Sequence, residues 1–216
     1  MAFEHYIYAD GKQLRCGYTT GTCAALAASG AVQKLLTGVW PETVSLRTPK
    51  GLTVEVPLEH CRMQGDTAQC SVRKDGGDDV DKTTGALIQA NVSLSDTPGV
   101  RIRGGQGVGR VTKPGLDQPV GEVAINRVPR QMIREAVEAA CRTADYDGGA
   151  EVTISVPEGE AIAQKTLNPQ MGIVGGISIL GTSGIVEPMS MQAMIDTMAL
   201  ELRQAAAQGH KRLILT

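Results

Sequence analysis

The sequence predicts a mixed α and β fold that closes on the start of a parallel α/β unit. Three observations predict it. Short runs with apolar residues at alternate positions recur at 44–58, 68–72, 86–94, 100–103 and 151–156. Two longer stretches, Cys23 to Thr37 and Pro129 to Arg142, carry apolar residues at helical spacing. A third helical stretch, Met191 to Gln208, is followed by the apolar run Leu213, Ile214, Leu215, a succession that opens a parallel α/β unit. With 216 residues and 42% hydrophobic content, the chain can build one large domain, or one domain and part of another.

Residues 1–15 read as an extended lead-in. Cys16 to Thr22 is a hydroxyl-rich turn in which Thr19, Thr20 or Thr22 can cap the following helix, which Gly38 stops. One side of that helix carries Ala24, Ala27, Ala28 and Ala31, so a partner can approach closely. The N–H groups at its start suit an anion, and an ordinary capped core helix fits the same residues. Val44 and Leu46, then Val54, Val56 and Leu58, flank the turn Pro49-Lys50-Gly51 as a hairpin. Ala68, Cys70 and Val72 lead into an acidic loop, and Ala86–Leu94 and Val100–Arg103 follow as strands. Gly104 to Gly109 opens an irregular segment that lasts to Asn126, and Pro129 fits the first turn of the next helix. Glu151–Val156 is a strand, 165–169 a polar loop, and Gly172–Met189 a short apolar strand framed by glycines. Ser190 caps the last helix and Gly209 stops it.

The acidic loop, Arg73 to Gly85, holds Asp75, Asp78, Asp79 and Asp81 around Gly76 and Gly77, with Lys74 and Lys82 beside them. Gly and Asp disfavour helix here, and converging carboxylates need a cation, a donor or water between them. A solvated acidic turn and one wall of a cleft both fit.

Composition excludes several classes. Aromatic content of 3% leaves no stacking platform for single-stranded nucleic acid, and a net charge of −2 does not suit a phosphate-backbone binder. No apolar run spans a membrane and no signal peptide is evident. Five cysteines without a C-x-x-C motif point to a reducing cytoplasm and no disulfide framework. His60-Cys61 is the one adjacent pair of soft ligands, and no metal site is expected. Gly105, Gly107 and Gly109 are not followed by a helix, so the dinucleotide fingerprint fails; P-loop, G-x-S-x-G and H-E-x-x-H motifs are missing.

Five blocks occur in order: RCGYTTGTCAALAA, KDGGDDVDKTTGALI, IRGGQGVGRVTKPGL, VGEVAINRVPRQMI and LNPQMGIVGGISILGTSGIVEPMS. Together they resemble the CbiD family of cobalt-precorrin-5B C(1)-methyltransferases, over nearly the whole chain. The resemblance implies S-adenosylmethionine-dependent methylation of C-1 of a cobalt-containing tetrapyrrole in anaerobic cobalamin biosynthesis. It implies an α+β first domain over 1–188, similar to a permuted ribosomal-protein-S5-like fold. Residues 189–216 would begin a Rossmann-like α/β domain that family members continue, so this chain is expected to be a fragment, folded but inactive alone.

Methyl transfer from an activated donor rests on alignment and exclusion of water. An acceptor rich in carboxylates calls for Arg and Lys. Arg101, Arg103, Arg110, Lys113, Arg127, Arg130 and Arg134 supply them, and Arg110 and Lys113, in a glycine-rich loop, are favoured. The candidate acceptor site comprises Thr19, Thr20, Arg110, Lys113, Asn126, Arg130, Asn168, Thr182 and Ser183. Asp78 and Asp79 are the candidate catalytic carboxylates, and Asp75 and Asp78 the candidate donor contacts, because the donor's sulfonium and ammonium are positive. A purely structural role for these aspartates, bonded to Thr83, Thr84, Lys74 or Lys82, stays open. Cobalt enters only as part of the substrate, and a homo-oligomer is compatible with the sequence. The alternative functions are a non-catalytic module that binds an anionic metabolite, and an atypical small-molecule kinase.

Overall fold

The structure, a computed structural model, describes residues 3–210 and residue 212. The strand expected at Leu213–Leu215 lies outside the described residues.

The chain begins with a hairpin rather than an extended lead-in. β1 (Tyr6–Ala9) and β2 (Lys12–Arg15) pair antiparallel, Tyr6 opposite Arg15 and Ala9 opposite Lys12. Asp10 and Gly11 turn with φ of 51° and 74°, the left-handed pair that matches strand twist in a two-residue loop. After β3 (Gly17–Tyr18), helix α1 (Thr20–Thr37) is capped by Thr19, whose hydroxyl accepts from the Thr22 N–H at 3.3 Å. An alanine side facing one partner understates its burial, because every residue from Thr20 to Val32 is buried. Small side chains allow this. A Cβ on Gly30 would stand 2.4 Å from Leu58 Cδ1.

The expected hairpin is β4 (Thr43–Arg47) with β5 (Thr53–Pro57). The main sheet is built from β6 (Glu59–Gln64), β7 (Thr67–Arg73), β8 (Leu87–Ser95) and β9 (Gly99–Gly104). The short β10 (Gly107–Val108) and β11 (Arg110–Val111), helix α2 (Arg127–Thr143) and β12 (Gly149–Ser155) follow. Its strand order is β6-β7-β8-β12-β9. β9, α2 and β12 form a parallel β-α-β unit, and β12 runs antiparallel to β8. It therefore fills the slot between two strands that are consecutive in sequence. Gly148 and Gly149 permit the entry. A Cβ on Gly149 would lie 2.1 Å from Gly99 O, and one on Gly148 2.5 Å from Ser95 O.

Buried apolar rows cross the strands on one face, Ala68–Val92–Val152 and Cys70–Ala90–Ile154, and α1 and α2 lie against this sheet. The opposite face is polar. Gln69, Asn91 and Thr153 make one row, and Glu151 holds Arg101 and Arg103, each at 3.3 Å. The alternation along each strand thus sorts into a two-layer sandwich.

α3 (Gly159–Ala163), β13 (Ile173–Val174), β14 (Gly176–Ile177), β15 (Ile185–Val186) and α4 (Met191–Ala207) complete the described chain. The single short strand expected in 172–189 is three two-residue strands, paired with β11, β10 and β3 respectively. Gly172, Gly175, Gly181 and Gly184 all have positive φ, which interrupts a continuous strand. Ser190 caps α4, accepting from the Ala193 N–H at 3.2 Å. This helix is inverted toward the body. Gln204 is buried and donates to Met171 O at 2.7 Å, whereas Met191, Met194, Ile195, Met198 and Leu202 are 45–67% exposed. Among the described residues no helix is long and apolar enough to cross a membrane.

Candidate functional site

The starts of α1 and α2 meet. A Cβ on Gly21 would stand 2.7 Å from Pro129 Cγ and 3.1 Å from Leu180 O, so only glycine lets the two helix ends and segment 178–184 converge. Thr20 Oγ1 accepts from Leu180 N–H at 2.9 Å and reaches Leu180 O at 3.3 Å. Thr22 Oγ1 donates to Gly184 O at 2.6 Å. Asn126 N–H donates to Ile179 O at 3.0 Å, and Ser178 Oγ donates to Asn168 Oδ1 at 3.0 Å. Thr19, Thr20, Asn126 and Asn168 are thus brought to one place, with Arg130 a turn beyond Asn126.

This convergence overturns the anion reading of the α1 start. Gly21 N–H bonds Leu180 O and Thr22 N–H bonds Thr19, while Thr19 and Thr20 are buried. The Thr20 and Thr22 hydroxyls hold the loops together, and that of Thr19 caps the helix. In the turn beyond, Ser183 Oγ is engaged with the backbone of Ile185, and Thr182 is exposed.

The acidic loop is stitched to the stretch before α1. Tyr18 N–H donates to Asp75 O at 2.9 Å, and Asp78 N–H to Arg15 O at 2.9 Å. A Cβ on Gly77 would lie 2.2 Å from Arg15 O, so the two backbones touch where φ is +64°. Each carboxylate has its own surroundings. Asp75 takes two bonds from the Arg15 guanidinium, at 2.5 and 2.9 Å, and that fork holds its carboxyl below the usual range. Asp78 accepts from Arg15 N–H at 2.7 Å. Burial opposes ionisation of Asp81, but Lys74 at 2.5 Å, with Thr83 N–H and Oγ1, outweighs it and keeps the carboxyl low. Asp79 differs. Its side chain forms no ion pair among the described residues, and burial together with Asp81 pushes its carboxyl up against the opposing pull of the Val80 N–H and the Lys74 charge. Nearby, burial pushes the Cys23 thiol up to about 12, so it is not a thiolate nucleophile near neutrality.

The glycine-rich segment after β9 is a packing node. A Cβ on Gly107 would lie 1.9 Å from Val156 O, and Gly159 and Gly176 both press on Gly107 O. Arg110 and Lys113, favoured from sequence, serve loop closure: the Arg110 guanidinium donates to Gly121 O and Lys113 Nζ to Gln170 O at 2.9 Å. The arginines that share a cavity are others. An open cleft of about 410 Å³ lies between residues 117–118 and the first turns of α2, lined by Arg127, Arg130, Arg134, Asp117, Gln118 and Gln131. Their spacing of three and four residues is the signal that could have grouped them. Among the described residues no three His, Cys, Asp or Glu converge as metal ligands, His60 and Cys61 included.

Fold and loops together are those of a cobalamin-biosynthesis family. The CbiD sequence profile matches residues 7–188, and the chain belongs to the CbiD family. A cobalt-precorrin-5B C(1)-methyltransferase from Geobacillus kaustophilus is 53% identical over 205 residues, 95% of this chain and 55% of the relative. One from Ruminiclostridium cellulolyticum is 47% identical over 213 residues, 99% of this chain and 55% of the relative. The crystal structure of the cobalamin biosynthesis protein CbiD from Archaeoglobus fulgidus superposes with a TM-score of 0.63 at 36% identity, covering 90% of this chain and 62% of that one. The chain therefore spans little more than half the length of the curated relatives it matches.

Proposed function

We propose that this chain belongs to an enzyme that methylates C-1 of cobalt-precorrin-5B, giving cobalt-precorrin-6A, in the cytoplasm. The observation that carries this is 53% identity, across 95% of the chain, to a relative of that name. S-adenosylmethionine, when bound, supplies the activated methyl group. The chain's residues suit it, because Asp79 is a carboxylate with no ion-pair partner among the described residues, and a positive sulfonium or ammonium would offset the burial that disfavours its charge. Asp75 and Asp78, anchored by Arg15, fix the loop that presents it. Arg130, with Asn126, Asn168 and Thr182, faces the acceptor side. Thr19, Thr20 and Ser183 position the loops between, and Arg110 and Lys113 shape the outer loop. The protein orients acceptor and donor and keeps water away, which suits a site without a nucleophilic triad.

The fold reading belongs to the same proposal. Residues 1–188 are the α+β domain of permuted ribosomal-protein-S5-like type, and α4 begins a Rossmann-like domain. The test is transfer of label from methyl-labelled S-adenosylmethionine to cobalt-precorrin-5B. It compares this chain with a protein at its relatives' full length that carries this sequence. Label at C-1 from the full-length form, with little from the 216-residue chain, is expected. No label from either form overturns the proposal.

A further inference from the structure

The cleft at the start of α2 holds three guanidinium groups without a carboxylate partner among the described residues. Four arginines elsewhere are paired, Arg15 with Asp75, Arg73 with Glu59, and Arg101 and Arg103 with Glu151, whereas arginines unpaired among the described residues, such as Arg47 and Arg142, stand apart from one another. Arg127, Arg130 and Arg134 form no ion pair among the described residues, although they line one cavity of about 410 Å³. The carboxylate in that cavity, Asp117, is turned to the backbone instead, accepting from Arg127 N–H at 2.6 Å. It thereby caps the helix that Asn126 leaves without a side-chain bond. Gln131 is likewise turned aside, donating to Glu135 at 2.8 Å.

The three arginines are not equivalent. Arg130 is half-buried and fixed, its Nε donating to Ile125 O at 2.8 Å and one terminal nitrogen reaching Ile102 O at 3.5 Å. Arg127 and Arg134 are exposed on either side of it, with no side-chain hydrogen bond among the described residues. One guanidinium is held in place between two that can swing, at the positive end of a helix. Like charges so close repel unless an anion lies between them.

We infer that this cleft is a carboxylate-binding subsite, with Arg130 as the fixed contact and Arg127 and Arg134 closing on neighbouring carboxylates. It takes the acetate and propionate arms of a tetrapyrrole, and the choice of carboxylate over phosphate rests on the proposed function. Planar guanidinium forks match carboxylates two bonds at a time, which sets the arms' position as well as their affinity.

The test uses uroporphyrin, a tetrapyrrole bearing such arms, titrated into the intact chain by fluorescence at low and moderate salt. Arg127→Gln with Arg134→Gln should weaken binding at least about tenfold and flatten its salt dependence, each lost contact being charge-assisted. Both side chains are exposed, so an unchanged melting temperature is expected. The control, Arg47→Gln with Arg142→Gln, removes the same charge from exposed positions outside the cleft and should bind as the parent does. Equal binding by the cleft variant, equal loss in the control, or displacement of the porphyrin by equimolar inorganic phosphate overturns the inference. The two readings fail separately. If methyl transfer is not found but arginine-dependent porphyrin binding is, the subsite stands. If methyl transfer occurs with KM unchanged in the cleft variant, the subsite alone falls.

Discussion

Lys74 Nζ lies 2.5 Å from Asp81 Oδ2, and the lysine side chain is 2% exposed where the aspartate is 22% exposed. The cation is therefore the member with no alternative partner in solvent. Asp81→Asn should cost about 3–5 kcal/mol in urea unfolding, because it leaves a buried charge unpaired. Adding Lys74→Met should recover much of that loss. A double variant no more stable than Asp81→Asn would show that the pair does not couple.

Acid should loosen the loop through Asp75 and Asp81. Both carboxyls sit below the usual range in the fold, Asp75 through Arg15 and Asp81 through Lys74 and Thr83 against the cost of burial. Their stabilisation is therefore complete above the ordinary aspartate value of about 3.9 and is lost as pH falls below it toward the folded values. Arg15→Gln should lower the melting temperature at pH 7, and that effect should fade as pH falls below about 3.9.

Asp79 carries the opposite sign. Its carboxyl is raised by burial and by Asp81, so the ionised form is disfavoured in the fold. Asp79→Asn should raise the melting temperature at pH 7, and the gain should shrink as pH falls toward the ordinary aspartate value of about 3.9 and be gone below it. A lower melting temperature at pH 7 would reveal a partner for this carboxylate. Donor affinity, read separately by calorimetry, should weaken in the same variant if Asp79 meets the donor.

Thr20→Val should cost about 1 kcal/mol by urea denaturation, because the Leu180 N–H loses its acceptor in a part-buried place. Thr20→Ser keeps that acceptor and should cost less. Gly21→Ala should cost about 1–3 kcal/mol through contact with Pro129 and Leu180. If Gly21→Ala matched the parent, the helix starts would be looser than described.

Met189 and the methionines of α4 should be the first to oxidise. Met189, Met191, Met194 and Met198 are 62%, 67%, 53% and 55% exposed, whereas Met132 is 3% exposed. Limited peroxide followed by peptide mapping should find the sulfoxides in 189–207 well before Met132 reacts. Protection that persists on dilution would mean that the chain itself covers the stripe.

Local structure was legible where local chemistry decides it. Thr19, Gly38, Ser190 and Gly209 bound the helices close to where the sequence put them, and the 44–58 hairpin stands. The Asp10-Gly11 turn is an equally local signal, but the short runs on either side of it, Tyr6–Ala9 and Lys12–Arg15, lack strong apolar alternation. What did not show was pairing at a distance. The cation for Asp75 is Arg15, sixty residues away in the chain, while Lys82, beside Asp81, stays exposed. For the same reason loop position favoured Arg110 and Lys113, whose charged ends close loops, over Arg127 and Arg134, which become neighbours through helical spacing and the fold of residues 117–118.

The placement of β12 between β8 and β9 sets a timetable for biogenesis. Leu87–Ser95 and Gly99–Gly104 leave the ribosome one after the other, yet neither completes its pairing with the other. Each presents an open edge until Gly149–Ser155 is made and inserted. Over that interval the nascent chain carries a split sheet, and its central slot is filled only by a segment that must first pass through α2. Such a long-range closure is slow, and unpaired edges invite pairing with other chains. Expression yield should therefore be sensitive to translation pauses between residues 104 and 149, a stretch that contains the arginine cleft but little of the sheet.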